Sequence, residues 1–185
     1  MTSQGVGSAL RGARPYRDVR ESFREGDLLA FRGRSLVSAT IRALTGSQYS
    51  HVGLVYLFEA RVYCLEAVGS GVRLCLMSEL ARRYAGGIDY VAVDASDEIR
   101  RQAVSFGFQQ LGRPFDYFGL ARFFLFLSLG LRPRARRDMR WFCAELVAEA
   151  YRRQGIRLTR DPSCYATPRA LVEGPRTQKF FTIKP

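Results

Sequence analysis

The sequence is poor in the residues that most often bind metals. Its 185 residues include one histidine, His51, and four cysteines that form no CxxC pair, at positions 64, 75, 143 and 164. A Cys/His zinc site needs more histidine, and a four-cysteine zinc site needs closer spacing. A disulfide framework is not expected either, because a chain of this length can bury a sizeable core without one. We therefore predict free thiols, no metal and no cofactor.

A second absence is that of a long apolar run near the N-terminus. The stretch MTSQGVGSALRGARPYRDVR lacks the apolar segment of a secretory signal peptide. A cytoplasmic location is the default expectation, with a membrane-peripheral location or export by a dedicated secretion system as alternatives. The glycine, serine and arginine content predicts disorder over residues 1–22, and residues 23–185 are expected to form a single domain.

Lysine is also scarce, although the protein as a whole is strongly basic. Of 29 basic residues two are lysine and 27 are arginine, and 17 acidic residues leave a formal charge of +12. This excess favours an anionic partner such as a phospholipid, a nucleic acid or an acidic polymer. The sequence has no nucleic-acid-binding motif and no alternation of basic and aromatic residues, so no nucleic acid partner is expected.

The hydrophobic pattern predicts strands first, then helices and a final strand. Periodic apolar spacing predicts helices over residues 35–46, 96–112 and 141–155. Short apolar runs predict strands at 28–31, 51–58, 61–68 and 88–93, another that starts after 71, and a last one near 179–183. This order predicts an α+β fold with a mainly antiparallel sheet.

The single histidine lies at the start of a predicted hairpin, whose strands HVGLVYLF and RVYCLEAV are joined by the two residues 59 and 60. In that register Glu66 lies opposite Gly53, and the alternation of side chains places His51 and Glu66 on one face. Glu66 could then accept a hydrogen bond from one ring nitrogen and raise the basicity of the other. The alternative is that His51 is a packed, structural residue.

Cys143 is the best candidate for a nucleophile among the four cysteines. It lies in the first turn of the predicted helix WFCAELVAEAYRRQG, where helix amides and dipole favour a thiolate and can also bind an oxyanion. Cys64 lies in mid-strand, Cys75 is expected in the core, and Cys164 lies in a loop. The alternative for Cys143 is a small buried apolar residue.

The ordered set GDLLAF, SHVGLVY, LEA, LGRPFDY, FCAELVAEAY and TP resembles the permuted papain-like amidases. These are circularly permuted relatives of the NlpC-type cysteine peptidases, and the sequence is similar to their YiiX-like branch. The resemblance runs from about Glu25 to Leu171 and matches His51, Glu66 and Cys143 to the family's triad. The sequence departs at positions 142 and 144, where phenylalanine and alanine replace the frequent tyrosine and serine.

The resemblance implies a papain-like fold with a mainly antiparallel sheet packed against helices, and a cysteine hydrolase that works through a thioester acyl-enzyme. Its substrate is expected to contain an amide bond, as in cell-wall peptides. The alternatives are a lipid acyl hydrolase or acyltransferase that acts on esters at a membrane, and a catalytically silent binding module. The backbone N–H of Cys143 is one expected oxyanion donor, and Tyr49 or Tyr117 is a candidate for the second.

The composition of the segment from Tyr117 to Arg137 predicts contact with an anionic membrane surface. An apolar stretch, YFGLARFFLFLSLGL, precedes the basic stretch RPRARR, a combination that suits an anionic lipid surface. The apolar stretch is interrupted by Arg122 and is too short for a transmembrane helix. The alternative is a buried helix followed by a solvated loop.

Overall fold

The computed structural model describes residues 12–119, 121, 125, 129 and 140–184. Within them one seven-stranded sheet has the strand order β1-β7-β6-β2-β3-β4-β5. The strands are β1 Ala13–Pro15, β2 Leu28–Gly33, β3 His51–Phe58, β4 Arg61–Val68, β5 Gly71–Leu76, β6 Gly86–Val93 and β7 Thr177–Lys184. The helices are α1 Tyr16–Val19, α2 Leu36–Thr45, α3 Met77–Arg83, α4 Asp97–Phe108, α5 Cys143–Arg152 and α6 Pro168–Val172.

The sheet is mixed, but only its β1–β7 pair is parallel. Its five other strand pairs are antiparallel. This confirms the predicted α+β class with a mainly antiparallel sheet.

Both faces of the central strand β2 are buried. Leu28 and Ala30 belong to a hydrophobic cluster that includes residues of α4 and α5, whereas Leu29 and Phe31 belong to a second cluster that includes residues of α1 and α3. The alternation follows from the period of two in a strand. The sheet is therefore covered by helices on each side.

The N-terminal segment is described only in part. Residues 1–11 of the stretch predicted to be disordered lie outside the described residues. Ala13–Pro15 pairs with β7, and α1 and a 3-10 turn at Arg20–Ser22 follow. Burial of Val19 and Phe23 in the second cluster explains why this part of the segment lies on the sheet.

The β3–β4 hairpin has the predicted two-residue turn. Glu59 and Ala60 have φ values of 46° and 58°, as a turn that matches the twist of a hairpin requires. The pairing begins at Phe58 opposite Arg61, which confirms the predicted register, and the ladder continues to Leu54 opposite Leu65. The first three residues of β3 lie beyond this ladder and pair with β2.

Helix α5 is fixed to the sheet at both its middle and its end. Its buried residues, among them Leu146, Val147 and Ala150, pack in the first cluster. The hydroxyl of Tyr151 donates to the carbonyl oxygen of Gly26 at 2.6 Å. This bond connects the end of α5 to the turn that precedes β2.

Gly26 and Asp27, part of the family-like GD motif, have structural roles. Gly26 has a φ of 82°, and a Cβ there would lie 2.6 Å from the Cβ of Arg100. Asp27 is fully buried and accepts hydrogen bonds from the backbone N–H of Val93 at 2.8 Å and from the hydroxyl of Tyr90. The motif therefore connects β2 with β6 and α4.

Most of the predicted membrane-facing segment, Tyr117–Arg137, lies outside the described residues. Within it, Tyr117, Phe118, Leu125 and Leu129 are described, and 59–75% of their surface is exposed. Across the described part of the chain, no helix combines the length and the apolar character needed to span a bilayer. Contact of this segment with an anionic membrane stays a prediction.

Candidate active site

The single histidine contacts the predicted carboxylate. The Nε2 atom of His51 lies 2.8 Å from Oε2 of Glu66. The Glu66 side chain is 3% exposed and that of His51 is 18% exposed, so the bond is well shielded from water. The ring of His51 also packs against Phe31, with 5.1 Å between centroids. Because Nε2 is hydrogen-bonded to Glu66, the other ring nitrogen, Nδ1, is available for a different partner.

Gly53 provides the space in which this contact forms. A Cβ at Gly53 would lie 2.9 Å from the carbonyl oxygen of Leu65 and 3.3 Å from the Cβ of Glu66, and it would overlap the sulfur of Cys64. Any larger residue would therefore push β3 away from β4. The missing side chain lets the strand with His51 lie close to the strand with Glu66.

A third side chain, Arg73, holds the other oxygen of Glu66. Its Nε and Nη2 atoms both donate to Oε1, at 3.0 and 2.9 Å, so this one oxygen accepts two hydrogen bonds from the guanidinium. Sequence reasoning did not include this arginine. The sequence did contain a local pattern that indicates it. The two-residue loop at Gly69 and Ser70 pairs Val68 with Gly71 and so places Arg73 directly opposite Glu66.

The two hydrogen-bonding partners keep Glu66 ionised. Burial alone would raise the pKa of this carboxyl. Hydrogen bonds and charges from His51 and Arg73 outweigh burial and lower the pKa of Glu66 below its usual value. Glu66 is therefore a fixed carboxylate rather than a group that exchanges protons near neutral pH.

Cys143 is the first residue of α5 and lies next to His51. Its side chain is hydrogen-bonded to His51, and the backbone N–H groups of Val52 and Ala144 donate to its sulfur. Val52 belongs to the part of β3 that extends beyond the ladder with β4. The strand that carries the histidine therefore also supplies an amide to the thiol.

These contacts favour a thiolate and an imidazolium. Burial opposes ionisation of Cys143, but the charge and hydrogen bond of His51, together with two backbone amides, lower the pKa of the thiol below its usual value. Burial likewise opposes protonation of His51, but Cys143 and Glu66 raise the pKa of the imidazole. The opposite shifts favour the thiolate–imidazolium pair over the neutral thiol and imidazole.

The other three cysteines differ from Cys143 in this respect. Burial raises the pKa of Cys64, Cys75 and Cys164, and nearby carboxylates raise it further. Only the thiolate is an effective nucleophile. Cys143 is thus the one cysteine of the chain whose surroundings favour the reactive form.

A narrow cleft of about 70 Å³ opens at Cys143 and His51. Its other described lining residues are all uncharged. They come from α2, from α6, from the residues just before β3, α5 and α6, and from the segment after α4: Ile41, Thr45, Ser50, Phe115, Phe142, Ala166, Thr167 and Pro168. Apart from His51, none of the lining side chains in the described ranges carries a basic charge. The cleft therefore suits a small uncharged group.

The two tyrosines predicted as oxyanion donors lie in different settings, and neither is among the described residues that line the cleft. Tyr49 is buried, and its hydroxyl donates to Oδ2 of Asp89 at 2.9 Å, so this proton is already in use. Tyr117 is 60% exposed and packs on Phe115, with 4.9 Å between ring centroids. Since Phe115 lines the cleft, Tyr117 lies one side chain away from it.

Tyr84 is a further residue that sequence reasoning did not include. Its hydroxyl is hydrogen-bonded to Ser50, which lines the cleft. Burial raises the pKa of Tyr84, and the negative charges of Glu66 and Cys143 raise it further. This hydroxyl is therefore protonated and lies near the reactive pair.

A comparison with protein families matches residues 22–165 to the family described as permuted papain-like amidase enzymes, YaeF/YiiX, C92 family. The chain belongs to this family. The matched region includes β3, β4 and the start of α5, and hence all three members of the predicted triad. Membership of the permuted papain-like amidases confirms the predicted fold family and indicates a cysteine peptidase or amidase at the level of the family.

A solved structure supports the same fold. The protein titled metalloprotein YiiX from Escherichia coli O157:H7 is 21% identical, with a TM-score of 0.69, and the match covers 88% of this chain and 98% of that one. At this identity the likeness concerns the fold. A comparison with curated proteins found no match.

That similar protein is described as a metalloprotein. In the described parts of the chain, no group of three or more His, Cys, Asp or Glu side chains is arranged to hold a metal ion. Cys143, His51 and Glu66 are arranged in series, with His51 between the other two, and Glu66 is also bonded to Arg73. Ligands of one ion surround a common point instead.

Proposed function

We propose that the protein is a cysteine hydrolase in which Cys143 is the nucleophile, His51 the general acid and base, and Glu66 the residue that orients His51. The observation that carries the proposal is the series Cys143–His51–Glu66, in which the imidazole joins a thiol of lowered pKa to a buried carboxylate. Nucleophile, base and orienting group are the three parts that covalent catalysis of acyl transfer needs.

The proposed reaction has two steps. The Cys143 thiolate attacks the substrate carbonyl carbon, the C–N bond breaks, and the amine leaves with the proton of the His51 imidazolium, which gives a thioester. Neutral His51 then takes a proton from water, the resulting hydroxide attacks the thioester, and the acid and the thiolate are released. The backbone N–H of Cys143, which has no acceptor within its own helix, is assigned to the oxyanion.

The proposed substrate is an amide, such as the peptide bonds of bacterial cell walls. The cleft beside Cys143 measures about 70 Å³ and is largely apolar. Full-sized ligand sites are about 300–1,000 Å³, so we expect only a small uncharged side chain or methyl group next to the scissile carbonyl. The rest of the substrate would then lie outside the cleft.

Labelling of thiols as a function of pH tests the proposal directly. Wild type and the variants Cys143→Ala, His51→Ala and Glu66→Ala are treated with iodoacetamide, and each cysteine is followed by peptide mass spectrometry. We expect Cys143 to react well below the ordinary thiol pKa of about 8.5, and we expect this advantage to vanish without His51. If Cys143 reacts no faster than Cys164, the protein is instead a binding module of the same fold.

A second candidate function is hydrolysis or transfer of lipid acyl esters. The observation that favours it is the exposure of Phe118, Leu125 and Leu129, since large exposed apolar side chains often mark a contact surface. Matched amide and ester substrates with the same acyl group separate the two functions. Faster turnover of esters only when they are presented in anionic vesicles would favour the lipid reaction.

A further inference from the structure

A second cavity, of about 850 Å³, lies along α5. It has no described lining residue in common with the cleft at Cys143. Its walls come from the end of α4 and the turn after it, from one side of α5, and from the loop at residues 157–164. The volume falls in the range of small-molecule sites, about 300–1,000 Å³, and the proposed reaction makes no use of it.

The lining of this cavity is rich in arginine. Its described charged residues are five arginines, at 113, 152, 153, 157 and 160, and three acids, at 145, 149 and 161, which leaves an excess of two positive charges. The guanidinium group is always charged, and its planar set of donors matches phosphate and carboxylate oxygens. The cavity therefore attracts anions with more than one charged group.

Two of these arginines are already held in place. Glu149 accepts hydrogen bonds from Nε and Nη2 of Arg152, both at 2.6 Å, and from Nε of Arg153 at 3.1 Å. The guanidinium of Arg153 also lies 4.6 Å from the centre of the Phe106 ring. Side chains that are already ordered lose less conformational entropy when a ligand binds.

Two other arginines have different surroundings in the described part of the chain. Arg157 and Arg160 are exposed, and in the ranges that the structure describes neither has an acidic group within salt-bridge distance. Between them lies Leu158, which is 1% exposed and, with Phe106, gives the cavity a buried apolar base. A guanidinium group beside an apolar surface binds anions more strongly than an isolated surface charge does.

We propose that this cavity is a binding site for a small molecule that carries at least two phosphate or carboxylate groups, bound by Arg157 and Arg160 together with the arginines that Glu149 holds. The site is separate from the cleft at Cys143. Both sites border the N-terminal part of α5, through Glu145 and Cys143 respectively.

Cys164 provides a local probe, because it lines the cavity and is partly exposed. Its alkylation by iodoacetamide is followed near pH 9 in the presence of inorganic pyrophosphate, citrate, or sodium chloride at the same ionic strength. We expect at least a threefold slower reaction of Cys164 with pyrophosphate, citrate or both, and no change with chloride. The anion that protects Cys164 shows whether the site binds phosphate or carboxylate groups. The alkylation rate of Cys143 in the same samples is expected to change by less than twofold.

Two matched double variants test whether the named arginines are responsible. Arg157→Ala/Arg160→Ala and Arg82→Ala/Arg83→Ala each remove two exposed positive charges, the second pair at the end of α3. We expect the first pair to abolish protection of Cys164 and the second to preserve it, with similar melting temperatures. Three results would each overturn the proposal. They are equal loss of Cys164 protection in both double variants, no protection of wild type by 10 mM of either anion, and protection of Cys143 instead of Cys164. The test reads no catalytic activity, so it stands or fails independently of the proposed hydrolase.

Discussion

Replacement of Arg73 by methionine tests whether the arginine acts on the reactive pair through Glu66. The guanidinium of Arg73 lies about 7 Å from the imidazole of His51, because two hydrogen bonds and the carboxylate of Glu66 separate the two groups. Its side chain is 49% exposed, so an effective dielectric constant of about 40–80 applies, and unit charges then repel by about 0.6–1.2 kcal/mol. Removing the positive charge of Arg73 should therefore raise the pKa of His51 by about 0.4–0.9.

The same change also removes two hydrogen bonds from a buried carboxylate. Hydrogen bonds to charged groups contribute about 1.5–3 kcal/mol when shielded, and partial exposure of Arg73 reduces this, so we expect about 1–2 kcal/mol less free energy of unfolding at pH 7. This contribution is present above the unfolded pKa of Glu66. It is lost as the pH falls through the lowered pKa of the folded state.

The assay is the pH profile of Cys143 alkylation, together with urea unfolding. The first inflection reports ionisation of the thiol, and the second reports loss of the imidazolium proton. In Arg73→Met the second inflection should move to higher pH. Arg73→Lys keeps the charge but not the two guanidinium hydrogen bonds, so it should retain the position of the second inflection and lose part of the stability. Arg61→Met, an exposed change on the same hairpin, is the control. A second inflection that stays in place or moves to lower pH would refute the reasoning.

Three further predictions concern the packing and ionisation of the site. Gly53→Ala should cost about 2 kcal/mol or more in urea unfolding, because its Cβ overlaps the Cys64 sulfur, and the added change Cys64→Ala should restore part of that loss. Tyr151→Phe should cost about 1–2 kcal/mol in the same measurement, since it leaves the Gly26 carbonyl without its donor. Hydrolysis should follow a bell-shaped pH profile, rising as the pH passes the lowered pKa of Cys143 and falling as it passes the raised pKa of His51. A wild-type rate that does not fall as the pH passes about 10, the raised pKa of His51, would contradict the last of these.

The local parts of the fold were predictable because they depend on neighbours in the sequence. The turn at residues 59 and 60 fixed the hairpin register, and the amphipathic spacing after Phe142 predicted α5. The helix α3 was not predicted, because MSELARR follows a strand with no break that favours a helix start. Its N-terminus has no side-chain cap.

Contacts between distant strands could not be predicted from one sequence. Tyr49 is bonded to Asp89, which lies 40 residues away on a strand that pairs with β2, and no local pattern specifies that pairing. The position of Arg73 could have been predicted, because the two-residue loop between β4 and β5 places it opposite Glu66. The cavity along α5 also depends on how separate segments pack.

The series from Arg73 to Cys143 has a consequence for how the protein responds to salt. The four groups alternate in sign, positive at Arg73, negative at Glu66, positive at His51 and negative at Cys143, so their charges sum to zero. The field of such a row decays much faster with distance than that of a single ion, and mobile counter-ions have little to screen. Reactivity of the thiolate should thus be nearly independent of ionic strength. Binding of charged molecules to the arginine-rich surface of this protein, whose formal charge is +12, should instead depend strongly on ionic strength.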